Sequence, residues 1–332
     1  MIFKKDLIQR VLKATGVKEG EIILLHFWGE DEDRPLLHSF AAETAALGAS
    51  PIALQQSRTV NAQVFGNAKG SCFDDRYFKQ FEQVDAVIDI FMYQPVVLNE
   101  KLDDEHMNIY RRYMKNIFST FTKAKRFVQL RVPTCENAKN TILEPDIFIQ
   151  KMLSAYDINY EQLKACCENQ IKEAGESQSV IIKTGESDTL FLSLEGRKWH
   201  IDAGDGDLPC GEVYIAPLEG SADGSIYFEQ LYINNANPYE KIRMIVENGR
   251  ITSSDNEHFN SFLKELPENG TVICEFGIGM NPNIQELIGY SVLDEKMFGT
   301  FHIAIGDNTM FGGSSSAPLH IDFVGKGTLH FV

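Results

Sequence analysis

The chain has 332 residues, 43% of them hydrophobic, and sets 31 Lys and Arg against 47 Asp and Glu for a net charge of −16. This apolar content excludes a disordered chain, the length predicts two domains, and the negative charge argues against nucleic-acid and anionic-membrane partners. Six cysteines without a C-x-x-C pair read as reduced thiols of a cytoplasmic protein, and neither a signal-peptide core nor a spanning run of ~20 apolar residues is found.

Leu7, Ile8, Val11 and Leu12 share one helical face that stops at Gly16, and Glu21 to Phe27 reads as a strand. A helix from Arg34 to Leu47 follows, with Pro35 in its first turn and Gly48 as its cap. Strands are then predicted at Ile52 to Leu54, Val84 to Phe91 and Arg126 to Val132, and helices at Asp74 to Phe81 and Asp104 to Phe121. This alternation predicts a doubly wound parallel sheet covered on both faces. No G-x-G-x-x-G follows its first strand and no phosphate-binding lysine loop occurs, so no nucleotide is expected.

Residues 146 to 174 read as helical, and the pattern changes at Gly175 to short strands and turns. The expected organisation is therefore an α/β domain over 1–175 and a mainly β domain over 176–332. Strands are predicted at Val180 to Lys183, Thr189 to Leu194, Lys198 to Asp202, Thr271 to Phe276, Thr300 to Ile305, Leu319 to Val324 and Thr328 to Val332. Asn248-Gly249 between Glu247 and Arg250 is a two-residue hairpin signal. The acidity is concentrated here, with net −13 over residues 181 to 332 against −3 before them.

No H-E-x-x-H helix or G-x-S-x-G elbow is present, which removes those hydrolase classes. His320-Ile321-Asp322 instead places imidazole and carboxylate on the same face of one strand, where they could share a metal ion. His200-Ile201-Asp202 repeats the spacing and reads as a surface pair. His302 stands in an otherwise apolar strand, Glu275 ends another before the loop Gly277 to Pro282, and Glu212 stands in Pro209 to Tyr214. Taken singly, each could equally be a satisfied core or edge residue.

Together these stretches carry a resemblance. Gly211-Glu212-Val213-Tyr214-Ile215-Ala216-Pro217, Glu275-Phe276-Gly277-Ile278-Gly279-Met280-Asn281-Pro282-Asn283, the run from Asp294-Glu295-Lys296 to Gly306, and Leu319-His320-Ile321-Asp322 are similar to motifs of the thermophilic metalloprotease family, which contains leucyl aminopeptidases. The resemblance implies a two-metal site on Glu212, Glu275, His302, His320 and Asp322, with Glu275 also catalytic, acting on a peptide or small-molecule substrate in a homodimer. A family tyrosine seven residues beyond His302 is Thr309 in this chain, so metal binding is expected to be intact and hydrolysis of simple leucyl amides weak or absent.

Three carboxylates and two imidazoles suit zinc, cobalt or manganese, and two such ions can activate a water for amide hydrolysis. His302, His320 and Asp322 alone also form a two-histidine, one-carboxylate set of the kind that holds a single Fe(II), and the resemblance implies that ring-cleaving dihydroxypyridine dioxygenases share the peptidase-like fold. Whether Glu212 and Glu275 face the other three separates these readings. A degenerate site that binds metal or ligand without catalysis is the third.

Overall fold

The computed structural model describes residues 3–233 and 238–332, which form two compact units. The first contains residues up to Lys139 with Glu144–Tyr160 and Gly204–Pro209; the second contains Asn140–Leu143, Glu161–Ala203 and Cys210–Val332.

The first unit is a parallel sheet built from β1 (Ile22–Trp28), β2 (Ser50–Gln56), β3 (Ala86–Phe91) and β4 (Arg126–Arg131), in the order β2-β1-β3-β4. Its helices include Lys5–Ala14, which buries the predicted face of Leu7, Ile8, Val11 and Leu12, and Asp104–Phe121, capped by the Asp103 carboxylate. β1 and β3 are buried along almost their whole length, as expected of strands covered on both faces. β2 starts before the predicted Ile52 and includes Pro51; it is an edge strand, where a missing N–H removes no bond from a second neighbour. The predicted helical stretch 146–174 is two helices, Pro145–Tyr156 and Tyr160–Ala174.

The strand order reverses between β1 and β3, the point where such sheets commonly bind anions. Here the carboxylate of Glu30, just beyond β1, occupies the start of helix Arg58–Gly66. It accepts hydrogen bonds from Ser57 Oγ (2.6 Å), the Arg58 backbone N–H (2.8 Å) and the Tyr93 hydroxyl (2.9 Å).

The second unit contains two antiparallel sheets. One comprises β5 (Ser179–Thr184), β6 (Asp188–Ser193), β10 (Asp223–Leu231), β11 (Tyr239–Glu247), β12 (Arg250–Ser254) and β16 (Thr328–Phe331). The other comprises β7 (His200–Asp202), β9 (Glu212–Ile215), β13 (Ile273–Gly279), β14 (Phe301–Gly306) and β15 (His320–Gly325), in the order β15-β14-β13-β9-β7. The two-residue strand β8 (Asp207–Leu208) belongs to the first unit, where it extends the parallel sheet beside β4. The predicted hairpin joins β11 to β12, with Asn248 and Gly249 both at positive φ as its tight turn requires.

Period-two alternation gives the second sheet its two faces. Phe276 and Phe301 turn towards the first antiparallel sheet, with Phe301 6.1 Å from Phe228 and Phe276 6.5 Å from Phe331 between ring centroids. The opposite face receives Glu275, His302 and Asp322. Full burial of an aromatic side chain in such a core stabilises by roughly 1.5–3 kcal/mol.

In the first unit Glu21, beside the start of β1, takes a bidentate contact from Arg126 at the start of β4 (3.1 and 2.5 Å), which holds its carboxyl below the usual range. A carboxylate depressed in the folded state stabilises above its unfolded pKa, and that contribution is lost as the pH falls through the folded value. Glu21→Gln should therefore lower stability by about 1 kcal/mol at pH 7, with the difference shrinking as the pH falls from the ordinary glutamate range through the lowered folded value. Urea denaturation of both proteins across this range checks it; a difference unchanged at low pH would exclude the ion pair as its source.

Candidate metal centre

The strand register places four of the five candidate ligands in three rows across one face of the second sheet, and His320 pairs with Gly306 beyond them. His302 lies opposite Gly277, Gly277 opposite Tyr214, and Tyr214 opposite His200. In the next row Glu275 pairs with Ala304, and Ala304 with Asp322. Gly279 pairs with Glu212, and Glu212 with Asp202, in the third. The glycines and the alanine are low points over which larger neighbours can lean. At Gly277 this is literal, since a Cβ there would meet His302 Nε2 at 2.0 Å.

Glu275 stands at the centre of the arrangement. Its Oε1 is 3.1 Å from His302 Nε2 and its Oε2 is 3.4 Å from His320 Nε2. Glu212 Oε2 approaches His302 Nε2 at 3.5 Å, and Asp322 Oδ1 approaches His320 Nε2 at 3.4 Å. Two groups result, Glu212 with Glu275 and His302, and Glu275 with His320 and Asp322; within each, one ligand atom per residue lies within 4.8 Å of the others. All five residues of the expected set are thus together, and Glu275 belongs to both groups.

Several corrections to the sequence reading follow. Glu275 does not end its strand: β13 runs on to Gly279, with a register shift between Ile273 and Glu275, and the buried carboxylate lies on the face opposite the aromatic core. A glycine-rich segment reads as loop, yet here glycine is required inside the strand for close approach. The pair His200 and Asp202 is not a surface pair, because Asp202 is buried and β7 is the opposite edge of the same sheet. Neither residue joins the two groups.

The donor set fits divalent cations. Among the described residues Glu212 Oε2 is buried without a hydrogen-bond partner, and so is His302 Nδ1. His320 Nδ1 donates to the Asp307 carbonyl at 2.8 Å, which orients the ring with Nε2 towards Glu275 and Asp322. Burial pushes the Glu212 carboxyl above its usual range against the opposing pull of Lys296 and His302. Burial opposes charge on both imidazoles, but the carboxylates prevail: Glu275 and Glu212 raise His302, and Asp322, with Cys274 and Glu275, raises His320. Asp322 is desolvated too, yet His320 and His302 hold its carboxyl far below the ordinary range. Carboxylates packed this closely demand positive charge.

Three neighbours were not legible as site residues. Lys296 is fully buried with Nζ 3.0 Å from Glu212 Oε1, and it also pairs with Glu295. Ser291 Oγ lies 3.1 Å from Asp322 Oδ2. A Glu-Lys step in isolation reads as a solvated turn; only its place within a resembling motif marked it. Tyr214 stacks on His200 at 5.2 Å and meets Phe311 at 5.4 Å, forming an aromatic wall that reaches His320. Thr309 lies in a short helical turn, where its hydroxyl donates to Asp307 Oδ1 at 2.8 Å.

A methyl group at position 277 cannot coexist with the His302 ring as placed. Gly277→Ala should leave the circular dichroism of the fold in place and weaken metal retention by ~10- to 100-fold, the usual cost of disturbing a ligand's orientation. Equilibrium dialysis with Zn²⁺ checks this, and unchanged retention would mean that the ring has room to move.

Three comparisons bear on this geometry. A family model described as thermophilic metalloprotease (M29) matches residues 9–317. Wild-type AmpT from Thermus thermophilus has a similar structure, with a TM-score of 0.70 and 16% identity over 99% of this chain and 96% of that one. A 2,5-dihydroxypyridine dioxygenase from Pseudomonas putida KT2440 gives a TM-score of 0.65 and 16% identity over 98% and 93% of the two chains. At this identity both likenesses speak for the fold. The peroxisomal targeting signal receptor of Saccharomyces cerevisiae is 32% identical over 93 residues, which are 27% of this chain and 15% of that protein. This match thus spans under a sixth of the receptor's length.

Proposed function

Because the chain belongs to the thermophilic metalloprotease family, we propose that it is a metal-dependent aminopeptidase, with two divalent ions held by Glu212, Glu275, His302, His320 and Asp322. The observation that carries this reading is the aim of Glu275, which turns one oxygen to each imidazole. When bound, zinc, cobalt or manganese ions polarise a substrate carbonyl and lower the pKa of water towards neutrality. His302 and Glu212 serve one side of Glu275, and His320 and Asp322 the other. A pocket lined by Ser291, His320 and Asp322 adjoins this group, where the scissile amide would enter. The Asp307 carbonyl holds the His320 ring, and Ser291 restrains Asp322, so these ligands are oriented before substrate arrives.

The single-iron reading uses only His302, His320 and Asp322 and needs Glu212 and Glu275 turned away. Both approach His302, which favours hydrolysis.

Metal analysis of the purified protein should find two equivalents of zinc, cobalt or manganese per chain. One equivalent of iron with oxygen uptake would replace this reading by the dioxygenase one. His320→Ala should lose metal, whereas His200→Ala should keep it; equal retention in both would sink the ligand assignment.

Thr309 shapes the activity. Its hydroxyl is occupied by Asp307 and is shorter than a phenol by a ring, and a missing oxyanion donor costs about 10²- to 10³-fold in rate. Leucyl-p-nitroanilide should therefore be turned over slowly or not at all by the metal-loaded protein, with a narrower peptide or amide as the preferred substrate. Brisk turnover with cobalt or zinc would show that position 309 does not matter.

A further inference from the structure

The proposed chemistry uses five ligands and leaves Lys296 without a role. This side chain is fully buried, and its ammonium lies 3.0 Å from Glu212 Oε1 while pairing with Glu295. Its backbone is pinned to the end of β13 and to Asn281 just beyond it. The Lys296 carbonyl accepts the Asn281 N–H at 2.8 Å, the Asn281 carbonyl accepts the Phe298 N–H at 3.2 Å, and a Cβ on Gly279 would meet the Met297 carbonyl oxygen at 2.0 Å. Gly279 is the cross-strand partner of Glu212. The glycine thus admits the chain that carries Lys296 to within reach of that carboxylate. On its other side, Glu295 Oε2 is 3.3 Å from Ser291 Oγ, which in turn lies 3.1 Å from Asp322 Oδ2.

We propose that Lys296 is a positioning residue that sets how Glu212 presents itself to a cation. With Oε1 held by the ammonium, only Oε2 is left to face His302 and a metal ion, so Glu212 is a one-oxygen ligand. Ser291 treats Asp322 alike by taking Oδ2 and leaving Oδ1 towards His320. Glu275 has no such restraint among the described residues and turns both oxygens inward. The division of labour is then two carboxylates of one oxygen each around a shared one of two. The buried ammonium also offsets one of the four carboxylates of Glu212, Glu275, Glu295 and Asp322.

This inference rests on the two-ion reading and is tested without measuring catalysis. Losing one partner of a buried ion pair strongly destabilises, so the variant is Lys296→Met combined with Glu295→Gln, with Lys296→Arg as the conservative control. Co²⁺ titration against a competing chelator, read with the visible spectrum of the bound cobalt, gives affinity and coordination together. Relative to Glu295→Gln alone, which removes a neighbour of Asp322, the double variant should bind one of two Co²⁺ at least tenfold more weakly and show an altered spectrum as Glu212 becomes bidentate, while Lys296→Arg stays near wild type. Unchanged affinities and spectrum in the double variant would overturn the assignment. Loss of its fold by circular dichroism would also overturn it, making Lys296 a folding element only. Failure of the wild type to bind two equivalents would count against the two-ion reading itself, separately from Lys296.

Discussion

Charge balance inside a buried sheet face is the constraint on which the second unit depends. Glu212, Glu275 and His302 are buried on one side of a five-stranded sheet, where Asp322 is half-buried and His320 reaches the solvent at the edge. Desolvating an ionised carboxylate costs several kcal/mol unless it is paired, so this grouping persists only with compensating positive charge. Lys296 supplies one part. Divalent ions, held by the imidazoles in their neutral form, would supply the remainder and satisfy the orphaned oxygen of Glu212.

The sheet meets this demand by using both of its faces for different purposes. Phe276, Phe301 and Ile303 point to the apolar core that fixes the strands, and their immediate neighbours Glu275 and His302 point the other way. Packing on one side is therefore what holds the ligand geometry on the other. Small residues complete the design. Gly277 makes room for the His302 ring and Gly279 admits the backbone of Met297, so glycine in β13 exchanges local strand propensity for close approach.

The first unit is organised by a contrary choice. Its doubly wound sheet has the strand reversal at which anions are commonly held, but Glu30 presents its own carboxylate to Ser57, Arg58 and Tyr93 there. Stacking of the Arg58 guanidinium 3.9 Å from the Tyr93 ring centroid closes the same corner. An internal anion satisfies the start of the helix, and the cation chemistry proposed above is assigned to the second unit.

Local periodicity was enough to read much of this from the amino acids. The β-α alternation of the first unit, the Asn248-Gly249 hairpin, and the shared face of His320 and Asp322 all follow from spacings of two to four residues. What lay outside that range depended on which strands become neighbours. Two identical H-x-D pairs were indistinguishable by spacing, yet β15 brings its pair beside Glu275 and β7 places the other at the far edge. The meeting of Glu275 with His302 and His320 came from the order and register of β13, β14 and β15, the burial of Asp202 from pairing with β9, and the burial of Lys296 from a chain segment laid over Gly279. A side chain's direction along its own strand is fixed by the pleat and is written in the sequence. Its neighbours across the sheet, and the charge it must share with them, are set by contacts between distant segments and were decided only by the tertiary structure.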